Sequence, residues 1–473
     1  MSNESTETII QSLNPHLTTL ADTSTRDRPV KRRAMEAVKK ETLQIKTWTN
    51  ASSAAADLLA HLVDSLLPCT ESAIESIREQ TVGILDSLIA KCEQGGIDNT
   101  VVEKLLRSAL KRMQEEGTEE IRVGWMDLCT TLLRQLKKIT VTLSELMLDI
   151  AQMAGKDAFS EVLQRDAKFI LLYAQTQPKS TDYACERMIR LTVPLLVHRH
   201  TAVRVLGIKA MEGVLLASPK GLHLLFEESP ERQPIVPALV YDASPLVRDH
   251  LFLSLGKLLC DWSPRDRYQY GERILPIIFQ GTFDELPSVQ VTCKSSLSGV
   301  GQSCARDLFE ADIIHEMPTD QALSETIVRQ ETALDALCLL LEYAHLDDIV
   351  KNIKKTLHYL MLVYVNKPEV RDRVCKILEQ LGLVLPSADI FLDVLLGRLD
   401  KTSLTLEGNG ASTVAVTMAF LNTLVRSSDT TSFKRIDLVL KKPFVQAYIK
   451  ENREALEEYE IIKARIANLP SRG

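Results

Sequence analysis

Apolar residues along this chain recur at three- and four-residue spacing, the period of one face of an α-helix. After Arg248 they fall at Leu251, Leu255, Leu258 and Leu259, and after Arg204 at Leu206, Ile208, Met211, Val214 and Leu215. Each run predicts an amphipathic helix whose apolar face needs a neighbour. Within the second run Gly207, Ala210 and Gly213 are small enough to let another helix approach closely.

The runs come in pairs. From Leu239 to Arg248 an apolar helix end leads into a turn marked by Asp242, then Pro245 and a second helix opening on Val247-Arg248. Ile278 to Gln290 repeats this with Asp284, Pro287 and Val289-Gln290, and Asn366 to Arg371 reads N-K-P-E-V-R. Proline at a first helical position gives up an N–H that would be unpaired there anyway. The Asp ahead of it can satisfy free amides at the helix start or hold the turn.

The residue after the small apolar anchor serves as a marker: Arg32, Arg78, Arg122, Leu163, Arg204, Arg248, Gln290, Arg329, Arg371 and Thr413. Successive markers lie 39 to 46 residues apart, the length of a HEAT-type hairpin of two antiparallel helices. Leu163, Arg329 and Thr413 rest partly on the spacing itself. A lone hairpin cannot bury both faces, so successive hairpins stack into one continuous core. The expectation is an all-α fold, a HEAT-type α-solenoid of about ten helical hairpins. Residues 1–25 read as a partly ordered lead-in, 26–440 as the solenoid, and 441–473 as a charged capping helix and tail; a polar loop near 402–412 interrupts the array.

Composition agrees with a folded helical protein: 473 residues, 45% hydrophobic, 25% charged and only 5% aromatic. The net charge of −7 speaks against a broad nucleic-acid surface, which carries a basic excess. No run reaches the roughly 18 apolar residues of a membrane helix, and the N-terminus lacks a secretory pattern, so a cytoplasmic protein is expected. The nine cysteines are scattered without C-x-x-C and read as reduced, buried thiols.

Motifs with a spacing fixed by mechanism are absent, so neither an enzyme nor a cofactor is expected. Ser298-Gly299-Val300-Gly301 lacks the Lys and Ser/Thr of a phosphate loop, and His315-Glu316 has no second His at helical spacing. His198 and His200 flank Arg199 in a turn between helices; two ligands or a pH switch is one reading, a surface or capping role the other. The densest basic cluster contains Arg28, Lys31, Arg32 and Arg33. It reads either as a contact for an acidic partner, an import signal or a phosphate patch, or as the solvated side of the first hairpin. Arg265, Arg267, Tyr268 and Tyr270, beside Trp262, have the composition of a binding hot spot, which an inter-repeat turn also uses for packing and capping.

The run from Trp262 to Tyr268 (W-S-P-R-D-R-Y), Ile274-Leu275-Pro276, and Phe283 to Val289 (F-D-E-L-P-S-V) resembles the HEAT-repeat axonemal dynein assembly factors of ciliated eukaryotes. Arg28 to Ala34, Asp157-Ala158-Phe159, and His198-Arg199-His200 followed by Val203-Arg204-Val205 look similar, in the same order, so the likeness covers residues 20 to 305. The resemblance implies a non-enzymatic cytoplasmic factor, or one that also reaches the cilium or flagellum, that preassembles dynein arms with dynein chains and chaperones as partners. The chain is shorter than such a factor is expected to be, and Gln290 stands where the repeat has Arg. A microtubule- or tubulin-binding HEAT array is the runner-up, and a transport-receptor or phosphatase scaffold the third reading, since fold alone does not set function.

Overall fold

A computed structural model of the chain describes residues 6–22, 28–43, 51–228, 233–309, 334, 337–338, 341, 346–399, 410–425 and 429–468. Among these residues all regular secondary structure is helical. The chain divides into two compact units, residues 1–254 and 255–473, a division that the repeat period alone does not reveal.

The first unit opens with five hairpins: α1 (Thr6–Ala21) and α2 (Arg28–Leu43), α3 (Ala51–Leu66) and α4 (Glu75–Ile89), α5 (Asn99–Glu115) and α6 (Glu119–Gln135), α7 (Val141–Ala154) and α8 (Ser160–Thr176), α9 (Pro178–Leu196) and α10 (Thr201–Ala217). Second helices pack on second helices in the series α2, α4, α6, α8, α10, and first helices on first in α5, α7, α9. Two parallel layers of helices result, the arrangement of an α-solenoid. A short α11 (Ile235–Leu239) precedes α12 (Pro245–Asp261), whose Leu251, Leu255, Leu258 and Leu259 are all fully buried, as their spacing predicts.

The lead-in expected over residues 1–25 is corrected here. Residues 6–21 form α1, the first helix of a hairpin packed on α2 and α3, with Ile9, Leu13, Leu17 and Leu20 buried along one stripe. The surrounding Ser, Thr and Gln hide that stripe in a composition reading. Gly207 lets α10 cross close to α9: a Cβ there would lie 2.9 Å from Leu195 Cβ and 3.1 Å from its carbonyl carbon.

In the second unit α13 (Pro264–Gly281) pairs with α14 (Pro287–Phe309), followed by α15 (Leu346–Asn366), α16 (Arg371–Val384), α17 (Asp389–Leu399), α18 (Gly410–Leu424), α19 (Thr430–Leu440), α20 (Pro443–Glu451) and α21 (Arg453–Ala467). Second helices again stack, α16 on α18, and first on first, α15 on α17 and α17 on α19. The segment after 441 is two helices, not one. Asn452 breaks them and caps α21 by accepting from the Ala455 amide at 3.1 Å. α21 packs on α18, burying Ala455 and Ile462; Glu454, Glu457 and Glu460 are exposed, while the Glu458 carboxylate accepts from Asn422 Nδ2 of α18.

The markers fall where the period places them. Arg78, Arg122, Leu163, Arg204, Arg248 and Gln290 lie in the first turns of α4, α6, α8, α10, α12 and α14; Arg371 opens α16, Thr413 lies in the first turn of α18, and Arg32 is one turn into α2. Arg329 and the loop at 402–409 lie outside the described residues.

Candidate partner-binding surfaces and the turn ladder

Most of the described turns between the two helices of a hairpin are closed by the same bond. The marker side chain reaches back six residues to a backbone carbonyl: Arg78 Nη1 to Ser72 at 2.9 Å, Arg122 Nη1 to Glu116 at 2.7 Å, Arg204 Nη1 to His198 at 2.8 Å, Arg248 Nη1 to Asp242 at 2.8 Å. Gln290 Nε2 makes it too, to Asp284 at 2.7 Å, so the departure from Arg keeps the turn closed. Gln446 Nε2 does the same to Leu440 at 2.7 Å, at a position that the period did not reveal. Pro245 and Pro287 are the first residues of α12 and α14. Arg371 donates through Nε to the Tyr364 carbonyl at 2.9 Å, and its guanidinium lies over the Tyr364 ring.

Arg78, Arg122 and Arg204 also reach forward into the next hairpin. Arg78 grips Glu116 (Nε–Oε2 2.8 Å, Nη2–Oε1 2.9 Å), Arg122 grips Asp157, and Arg204 grips Asp242 (Nε–Oδ2 2.7 Å, Nη2–Oδ1 2.8 Å). Each acid accepts, in addition, the amide two residues on, from Thr118, Phe159 and Ser244; Asp284 does so from Leu286. Burial pushes the Glu116 carboxyl up, but hydrogen bonds from Arg78 and the Thr118 amide, with the Arg78 and Arg112 charges, bring it below its ordinary value. The acids were not legible as a set, because Glu116 and Asp157 stand in turns without a proline.

One rung is missing, on both sides at once. Leu163 holds the arginine position and His198 the acid position. His198 nonetheless keeps the turn: its Nδ1 accepts the His200 amide at 3.2 Å, as Asp242 accepts that of Ser244. Burial, then the charges of His200, Arg199 and Arg204, hold its pKa below the ordinary value, so the ring is neutral and available as an acceptor. The rings of His198 and His200 lie 5.2 Å apart, and among the described residues no group of three His, Cys, Asp or Glu is placed to hold a metal.

The candidate contacts at 265–270 separate. Ser263 caps α13 by accepting from the Asp266 amide at 3.2 Å. Arg265 and Tyr268 are exposed, and Tyr270 is half-buried with its ring 5.5 Å from that of Trp262. Arg267 is a correction: it is buried and donates to the carbonyls of Leu259, Cys260 (3.1 Å) and Trp262 (3.0 Å), satisfying the last carbonyls of α12. On α2, Arg28, Arg32 and Arg33 are exposed and Lys31 is half-buried. Composition did not show the exposed apolar tips of the turns, Val197 and Tyr241 in the first unit and Phe283 in the second, each just ahead of the acid position.

Two hollows in the second unit, of about 120 Å³ beside Leu341 and Leu383 and about 250 Å³ beside Pro386 and Phe391, fall short of the roughly 300–1,000 Å³ of small-molecule sites. The nine cysteines are free, and burial pushes the Cys129 thiol up to about 12 and Cys69 and Cys92 to about 11, far from a reactive thiolate. Among the described residues no helix is long and apolar enough to cross a membrane.

Residues 22–311 match the family model described as "Dynein axonemal assembly factor 5-like, TPR repeats". Dynein axonemal assembly factor 5 of Xenopus laevis is 26% identical over 290 residues, which are 60% of this chain and 32% of that protein. The Drosophila melanogaster protein of that name is 27% identical over 261 residues (52% and 29%), and the Homo sapiens one 22% over 284 (58% and 32%). The chain thus spans about a third of the length of the curated relatives it matches. A solved karyopherin, Kap121p bound to Nup53p, overlays with a TM-score of 0.41 at 16% identity, covering 97% of this chain and 46% of that one, an overlay too loose to bear on function. The repeats here are 39–46 residues long, HEAT length rather than the 34 of a tetratricopeptide unit. With 290 consecutive residues matched, the chain belongs to the dynein axonemal assembly factor 5-like family.

Proposed function

We propose that this chain is a non-enzymatic, cytoplasmic scaffold that holds axonemal dynein chains, together with chaperones, while dynein arms are preassembled. The observation that carries the reading is the match of residues 22–311 to the family model, a stretch that holds the turn pairs Arg78–Glu116, Arg122–Asp157 and Arg204–Asp242. In the first unit these pairs hold neighbouring hairpins in register, so side chains on its second helices offer a surface on which a large partner binds through many modest contacts. Arg265, Tyr268 and the exposed part of Tyr270 are proposed as anchors, being the residue types that dominate interfaces.

A direct grip on tubulin calls for basic tips on successive turns. The turns of the first unit expose apolar Phe159, Val197 and Tyr241 beside basic Lys156 and Arg199, and the apolar part of these tips favours a protein client. The test is affinity purification of the tagged chain from cells building motile cilia. Dynein chains and chaperones in the eluate support the reading. Co-sedimentation with purified microtubules in place of those partners overturns it.

A further inference from the structure

α10 and the part of α12 that lies in the first unit carry apolar residues on every side. A helix of that composition is normally covered all round. Val203, Ile208, Met211, Val247, Leu251 and Phe252 do turn into the stack, but another side stays open. α10 exposes Ala202 and Lys209, and residues 241–254 expose Tyr241, Ala243, Pro245, Leu246 and Leu253. All but the lysine are apolar, with Tyr241 75%, Leu246 52% and Leu253 54% exposed. α5, as long as α10, exposes polar side chains instead, Lys104, Arg107 and Lys111 among them. α10 and α12 lie side by side, since Ser254 Oγ donates to Glu212 Oε2 at 2.5 Å. Counted from the markers Arg204 and Arg248, Ala202 corresponds to Leu246, Leu206 to His250 and Lys209 to Leu253, so one apolar strip runs along the pair.

We infer that this strip docks an amphipathic α-helix of a partner protein, striped with leucine-like side chains and acidic on its flanks. Leu246 and Leu253 stand on one face of α12 about 10.5 Å apart along its axis, the i to i+7 step by which a helix is read in a groove. Ala202, small and beside Leu246, leaves room for an incoming side chain. Charge sets the flanks. Exposed Arg199 ahead of α10, Lys209 within it, and Lys168 at the corresponding position of α8 border the strip. No acid of α10 or of residues 241–254 is exposed: Asp242 is held by Arg204 at 2.7 Å and Glu212 accepts from Ser254. The exposed acid of α8, Glu161, lies 3.6 Å from Arg165. An extended segment fits less well, because α10 and α12 offer it no sheet edge. An anionic membrane fits less well too, since it calls for a polybasic face and these two stretches expose Lys209 as their one cation. The inference stands on α10 and α12 and does not depend on dynein being the client.

The experiment is fluorescence anisotropy of a dye-labelled helical peptide of about 18 residues, with leucines at i, i+3, i+4 and i+7 and glutamates on both flanks, against the full chain. Saturable binding is expected, about tenfold or more tighter than that of a peptide of the same composition whose leucines are spread around the helix. L246S/L253S should weaken it about tenfold or more, and K168E/K209E should weaken it most at low salt. V141S/Y183S, which removes still more exposed apolar residues from α7 and α9, should keep it. Circular dichroism confirms folding of each, and L253Q serves as the milder variant. No binding, equal binding of the scrambled peptide, or equal loss in L246S/L253S and V141S/Y183S overturns the inference. It is also overturned if sedimentation velocity shows the chain pairing with itself through Leu246 and Leu253, or if phosphatidylserine vesicles bind more tightly than the peptide through those two residues.

Discussion

Arg122 leaves its own hairpin to grip Asp157 in the turn of the next, with Nε 2.7 Å from Oδ2 and Nη2 3.2 Å from Oδ1. The same guanidinium closes its own turn on the Glu116 carbonyl and lies 5.3 Å from the centre of the Phe159 ring. One side chain therefore fixes both a turn and the register between two hairpins. The two partners are 9% and 8% exposed, so removing either leaves a charge buried without its counterpart. R122A or D157A should each cost about 3–5 kcal/mol, and R122M/D157L much less than their sum. Urea unfolding followed by circular dichroism reads the difference.

The absent rung can be built. L163R/H198D should restore the pattern of the flanking repeats, with a favourable coupling of roughly 0.5–3 kcal/mol in a double-mutant cycle, since the two positions answer each other in register. H198D alone places an acid with no arginine facing it and should gain nothing.

The same histidine makes a pH-dependent contribution. Its folded pKa lies below the unfolded value, so the unfolded chain binds the proton first as pH falls. Stability from this residue is present above about pH 6.5 and is lost as pH drops toward the lowered folded value. Urea midpoints between pH 8 and 5 should fall more for the natural chain than for H198N, whose amide oxygen can still accept the His200 N–H without titrating.

Asp166 works in the opposite direction. It is fully buried in α8 with neither carboxyl oxygen hydrogen-bonded, and burial raises its pKa well above the ordinary value. The folded state keeps a proton that the unfolded state gives up above about pH 4, so stability declines as pH rises from there. D166N should be more stable than the natural chain at neutral pH, with the difference vanishing toward about pH 4. Equal slopes in the two proteins would contradict this.

Two glycines separate close packing from mere helix weakness. G207A drives a Cβ against the Leu195 backbone and should destabilise by about 1–3 kcal/mol. Gly83, inside α4 with nothing within 4 Å of its missing Cβ, should respond to G83A with a gain of about 0.4–1 kcal/mol. Thermal melts of the two variants should move in opposite directions.

Much of this fold is legible in the sequence because a repeat states its rule many times. Leu251, Leu255 and Leu258 give a helix face, Pro245 and Pro287 give helix starts, and the marker period gives the hairpin. Single occurrences are harder. The stripe of α1 is diluted by polar neighbours, and the second arm of the ladder depends on which turn residue of the next hairpin faces the arginine. At the candidate contacts the sequence supplies residue types but not burial: Arg265 and Arg267 look equivalent two positions apart, yet one faces solvent and the other caps the carbonyls of α12.

The central claim is that this stack of hairpins serves the building of dynein arms. Deleting its gene in cells that make motile cilia and imaging axonemes in cross-section by electron microscopy tests that claim most directly. Missing dynein arms on otherwise intact doublets, restored by the natural chain, is the predicted result; a full set of arms in the deleted cells would contradict it.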